Sequence, residues 1–237
     1  MTGGATTGGR GAAASATGPG LRLNVTYGSW ELVWAHVHRV LVVNLGMAAA
    51  NLPLLAALQV SHQPWRHPLV FGPLLLLTGP SLAAAFACLE GTGDETPTVR
   101  AYARAYRRHF RRASSVSAVF LPVAAVAVAD IAFLGPTTAG PALVPMAAVV
   151  AVLALLSAVA ALARVAAGAA SGRGILLSAP FAVVRHWRAS AVNLVLITAG
   201  LHLVNQAPLP GLAVLPGCVL FVVRRNWRWE PDAGRQR

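Results

Sequence analysis

The sequence predicts an all-α, polytopic membrane protein, a bundle of about six transmembrane helices arranged as three hairpins with amphipathic helices at the interface. Three observations carry that expectation. The 237-residue chain is 56% apolar and only 11% charged, with a mean hydropathy of +0.62, outside the range of soluble globular domains. Apolar runs near the ~20 residues needed to cross a ~30 Å hydrocarbon layer recur along it. Arginines gather at alternate ends of those runs, as expected for a chain that crosses and returns.

Residues 1–20 are Gly, Thr, Ala and Ser with a single arginine. They lack helical periodicity and the h-region of a signal peptide, and read as a disordered tail. A single membrane domain follows over residues 21–229, with a cytoplasmic tail at 230–237. The stretch 27–39 carries Trp30, Trp34, His36, His38 and Arg39, an aromatic and basic composition suited to headgroup depth. The first span, 40–60, contains no formal charge. A polar turn at 61–67, anchored by Trp65, leads to a second span at 68–89, interrupted by Thr78-Gly79-Pro80.

An acidic turn at 90–98 precedes VRAYARAYRRHFRRA over residues 99–113. At 100° per residue, Arg100, Arg104, Arg107, Arg108 and Arg111 share one side of this helix. Val99, Tyr102, Tyr106, Phe110 and Ala113 share another. Such a helix lies on an anionic lipid surface or docks against an acidic partner. Nucleic acid is disfavoured, because no reading module accompanies the arginines.

The third and fourth spans, 114–134 and 143–166, are joined by GPTTAGP, whose residues suit a tight turn. A second amphipathic piece at 175–187 leads to a fifth span at 189–204 and a sixth at 209–223. These last two are short for spans and flank Pro208 and Pro210, so a re-entrant hairpin is the alternative there.

Orientation follows from the arginines. With both termini in the cytoplasm, every arginine except Arg66 falls on the cytoplasmic side. The basic set is all arginine, without a lysine, which excludes Walker A loops and Schiff-base chemistry. Together with abundant Ala, Gly and Pro it suggests a GC-rich bacterial genome and hence a bacterial cytoplasmic membrane.

Each outward span begins with an arginine followed five residues later by a small polar group: Arg39 and Asn44, Arg112 and Ser117, Arg188 and Asn193. RHFRRAS at 108–114 resembles RHWRAS at 185–190, and Val-Asn-Leu recurs at 43–45 and 192–194. The pattern suggests three parallel copies of one surface-helix-plus-hairpin unit.

No catalytic constellation is present: the seven carboxylates are scattered and neither GxSxG nor HExxH occurs. An enzyme is not expected, nor a metal or cofactor. Cys88 and Cys218 sit in apolar runs without metal-ligand spacing and read as free thiols. Asp130 is the one acidic residue inside a span, near its outer end. With His202, Asn205 and Gln206 at similar depth it forms an outward polar pocket, or these groups simply cap helix ends at the interface. Asn44, Asn51 and Asn193 read as interhelical hydrogen-bonding residues. Gly79 and Pro80 read as a kink or a close helix contact.

Together the asparagine-bearing first span (Asn44), the TGPSLAAAF stretch at 78–86, the short acidic turn and the aromatic-basic helix from Tyr102 to Phe110 resemble the YesL-like family of bacterial membrane proteins. The match covers about residues 30–130; the longer first hairpin and the N-terminal tail depart from it. The resemblance implies a multi-spanning protein encoded beside oligosaccharide uptake systems, and so an accessory or scaffold for a carbohydrate importer or another membrane protein. A small transporter with a polar pathway between the hairpins is the alternative.

Overall fold

The computed structural model describes residues 27–60, 67–90, 98–168, 172–206 and 208–227. The tails expected at 1–20 and 230–237 lie outside them. So do Arg66, Trp65 and most of the acidic turn. Every regular element among the described residues is an α-helix. In chain order these are α1 (Tyr27–Ala50), α2 (Leu52–Val60), α3 (Pro68–Leu76), α4 (Thr78–Glu90), α5 (Val99–Leu134), α6 (Gly140–Ala166), α7 (Gly172–Arg185), α8 (Trp187–Gln206) and α9 (Pro208–Trp227).

Prolines explain the breaks in the first hairpin. Each removes an N–H and crowds the carbonyl four residues earlier. Pro53 stands just after the junction at Asn51, where the axis bends by 56° between α1 and α2. Pro80 follows the junction at Leu77, whose N–H closes the end of α3 on the Leu74 carbonyl at 3.2 Å in the tighter three-residue pattern. The apolar stretch expected as a single span at 40–60 is therefore a bent pair, whereas the stretch expected at 68–89 continues through the tight turn at Leu77 as one candidate span, Leu69–Glu90.

The second hairpin is built from long helices. Thr98 caps α5, its Oγ1 accepting from the Ala101 N–H at 3.2 Å, which satisfies one of the unpaired donors of the first turn. The helix then runs 36 residues to Leu134, about 54 Å at 1.5 Å per residue. The separation expected between a surface helix at 99–113 and a span at 114–134 is thus corrected: the two are one helix. Nothing at the junction stops it, since residues 113–118 contain neither Gly nor Pro and the Ser115 hydroxyl bonds back to the Arg111 carbonyl at 2.8 Å. After Leu134, Thr137 folds back, its N–H and hydroxyl both donating to the Leu134 carbonyl at 2.9 and 2.7 Å. The far end of α6 closes on Gly168 at φ +79°, a left-handed position that glycine occupies without penalty.

α4 is the hub. It packs against α1, α3, α5, α6 and α9, and Ala83, Ala84, Ala85 and Phe86 are fully buried. Its small side chains allow this close approach. α5 and α6 pair along their length, as do α8 and α9, while α9 also returns to α1 and closes the bundle. Among the described residues three apolar helices are long enough to cross a membrane: Leu69–Glu90, Val99–Leu134 and Gly140–Ala166. The bent α1–α2 pair makes a fourth if counted as one span. α8 and α9, at 20 residues each, are not among these four.

Candidate functional site

The charged face of α5 is the most distinctive surface. Arg100, Arg104, Arg107, Arg108 and Arg111 are all exposed, as is Arg112. The opposite face is used internally in part, with Val99 and Phe110 remaining exposed. Tyr102 is only 4% exposed and Ala113 is fully buried, while Tyr106 is half-buried and its ring stacks at a tilt on Phe110, 5.6 Å between centroids. The Tyr102 hydroxyl donates to the Ser81 carbonyl of α4 at 3.0 Å. Its ring lies flat against Gly46 of α1, so closely that a Cβ there would sit 2.7 Å from ring carbons.

Those contacts seat the middle of the aromatic face, at Tyr102, on α1 and α4. Tyr102 and Ala113 are spent inside the bundle, whereas Val99 and Phe110 stay exposed beside the arginines. The arginine-bearing turns precede the uncharged stretch from Ser114; a centrally placed arginine in a bilayer costs about 2.5–3.5 kcal/mol, so if α5 spans, these turns belong outside the hydrocarbon. On these turns burial holds the His109 imidazole below its usual pKa, with Arg108 and Arg112 adding to the effect.

Polar contacts tie the helices together. Arg224 of α9 donates to the Phe86 carbonyl at 2.8 Å and pairs with the Glu90 carboxylate at the end of α4. Asn226 of α9 donates to Asn193 Oδ1 of α8 at 2.8 Å. The Gly217 N–H of α9 donates to Asn44 Oδ1 of α1 at 2.7 Å. Ser190 at the start of α8 donates to the Val183 carbonyl of α7 at 2.9 Å, and Arg164 of α6 to Ser178 of α7 at 2.7 Å. α9, one of the two segments expected to be short for spans, is therefore clamped by side chains to three neighbours.

The three small polar groups that follow an arginine by five residues are all inside: Asn44 is 3%, Ser117 1% and Asn193 0% exposed. Their partners differ. Asn44 and Asn193 meet α9, whereas Ser117 faces Gly79 of α4 so tightly that a Cβ at Gly79 would lie 1.8 Å from its Oγ. Asn51, at the bend, donates to the Met47 carbonyl and to Ser81 Oγ, each at 2.9 Å. Pro80 is buried beside Gly79.

Asp130 is exposed at the rim of an apolar groove between α5 and α6, about 380 Å³ in volume, lined also by Pro122, Val123, Val126, Ala127, Ala147 and Val150. His202 and Gln206 are exposed on α8 and are not part of that lining. The side chain of Asn205 lies outside the described ones. Cys88 is buried and Cys218 exposed, both as free thiols.

Sequence reasoning overlooked Gly46, Gly217 and Arg224. Arg224 had one signal: it ends an apolar helix, as Glu90 does, and a charge at each such end invites a pair. The two glycines had none, because close approach to a partner helix is not encoded locally.

Comparison with protein-family models, with curated protein sequences and with solved structures gives no match.

Proposed function

We propose that the protein is a non-catalytic accessory or scaffold of a bacterial cytoplasmic membrane, presenting the arginine face of α5 to a partner in the cytoplasm. The observation that carries this reading is the anchoring of Tyr102 against Gly46 and Ser81, with the five arginines on the exposed side. A rigidly held row of guanidinium groups favours an acidic protein surface, since Arg engages carboxylates in a fixed fork geometry. Arg111 and Arg112, nearest the span, suit anionic headgroups.

In this proposal both termini are cytoplasmic and α8 and α9 complete a six-span, three-hairpin bundle. Twenty residues give about 30 Å of helix, equal to the hydrocarbon thickness, and the arginine distribution favours that topology. The YesL-like resemblance of residues 30–130 suggests a carbohydrate importer as the partner.

A transporter is the second reading, favoured by the 56° bend between α1 and α2, because discontinuous helices often line substrate sites. Against it stand the fully buried Ala83 to Phe86 and the Gly79–Ser117 contact, which fill the centre where a path would run. Purified protein in liposomes, assayed for uptake of labelled mono- and disaccharides, separates the two. A scaffold gives flux equal to empty liposomes; saturable flux supports the transporter.

A further inference from the structure

The groove between α5 and α6 has a polarity of its own. Its floor is small, Ala127 and Ala147; its walls are Pro122, Val123, Val126 and Val150; and its rim carries the carboxylate of Asp130. From Pro122 to Asp130 it follows α5 for about 12 Å, close to the ~15 Å depth of one leaflet's acyl region. The carboxylate stands at the end nearer the turn at 135–139; on the spanning arrangement proposed above, that end meets the lipid headgroups and the apolar walls run toward the bilayer centre. Asp130 has no hydrogen-bond or ion-pair partner among the described residues. An ionised carboxylate at an apolar boundary demands a cation or a hydrogen-bond donor.

We propose that this groove holds a phospholipid with an amine-bearing headgroup, of phosphatidylethanolamine chemistry, with one acyl chain over Ala127 and Ala147 and the ammonium paired with Asp130. A lipid whose headgroup is only anionic, such as phosphatidylglycerol, brings its phosphate to the carboxylate without a compensating cation and is disfavoured. The site is independent of the arginine face and of any partner there.

The test is native mass spectrometry of the full chain after extraction from nanodiscs containing equal phosphatidylethanolamine and phosphatidylglycerol. Wild type retains the ethanolamine lipid with a preference of about threefold, the size expected for one partly hydrated ion pair. Asp130→Asn abolishes the preference while leaving some lipid bound. Val126→Trp, at a side chain already 60% exposed, blocks the groove and removes the retained lipid without unfolding the protein, as circular dichroism verifies. Equal retention of both lipids by wild type, an unchanged preference in Asp130→Asn, or a dimer that excludes lipid from this face overturns the proposal.

Discussion

Asn44 Oδ1 on α1 accepts a 2.7 Å hydrogen bond from the backbone N–H of Gly217 on α9, joining residues 173 positions apart in the chain. This contact closes the first and last helices on each other. It needs both residues: a Cβ at Gly217 would meet Asn44 Oδ1 and Val40 Cγ1 at 3.0 Å. Asn44→Ala is expected to destabilise the fold by about 1–3 kcal/mol, the cost of an orphaned buried donor. Gly217→Ala is expected to cost about 1–2 kcal/mol through overpacking. Because truncating Asn44 makes room for the new methyl, the double variant loses less than the sum of the two. Thermal unfolding in detergent checks this; strict additivity speaks against the contact.

Ser117 and Gly79 form a second such pair, with opposite expectations for the two residues. Gly79→Ala drives a Cβ into the Ser117 side chain and is expected to lower stability markedly. Ser117→Ala removes a buried hydroxyl that lacks a hydrogen-bond partner, so by itself it is neutral or stabilising. In the Gly79→Ala background it rescues only partly, because its own Cβ still lies 2.9 Å from the new methyl. Thermal melts of the three variants decide; no rescue at all sinks the assignment.

Tyr102 holds the arginine-bearing turns against the bundle. Tyr102→Phe keeps the ring and gives up one hydrogen bond, about 1 kcal/mol. Gly46→Ala is expected to do more, since the ring must move and carry α5 with it. Hydrogen exchange over residues 99–112 is the readout. Exchange should rise modestly in the first variant and strongly in the second, and equal protection in both would show that the turns are held some other way.

His109 gives a pH signature outside the membrane-spanning segments. Its pKa in the folded protein is lowered by burial and by Arg108 and Arg112, so between the folded and unfolded values the unfolded chain binds more protons. Stability therefore rises with pH across that window and falls as the pH drops through it. The effect is small, because His109 is largely solvated. NMR titration should place its midpoint below that of a free imidazole, and an Arg108→Gln, Arg112→Gln variant should move it upward.

The α5–α6 turn was legible in the sequence because Gly135, Gly140 and Pro141 cluster between two long, predominantly apolar runs. The bend at Asn51 was not. A hydropathy profile averages over Pro53, and Asn51 is held by Ser81, 30 residues away. The continuity of α5 escaped for the converse reason: a change from charged to apolar composition suggests a change of element, yet helix propagation responds to Gly, Pro and hydrogen bonding. Of the candidate surface, the arginine face was legible from its period, whereas what its aromatic side packs against was not. That depended on Gly46 and Ser81 arriving from two other helices.

The most direct measurement of the proposed role compares proteins cross-linked to the chain in native membranes for wild type and for a variant with Arg104, Arg107, Arg108 and Arg111 all changed to Gln. At equal expression and unchanged thermal stability, the scaffold reading expects a specific partner with acidic cytoplasmic surface to be captured by wild type and lost from the variant. Capture of the same proteins in the same amounts by both would contradict it.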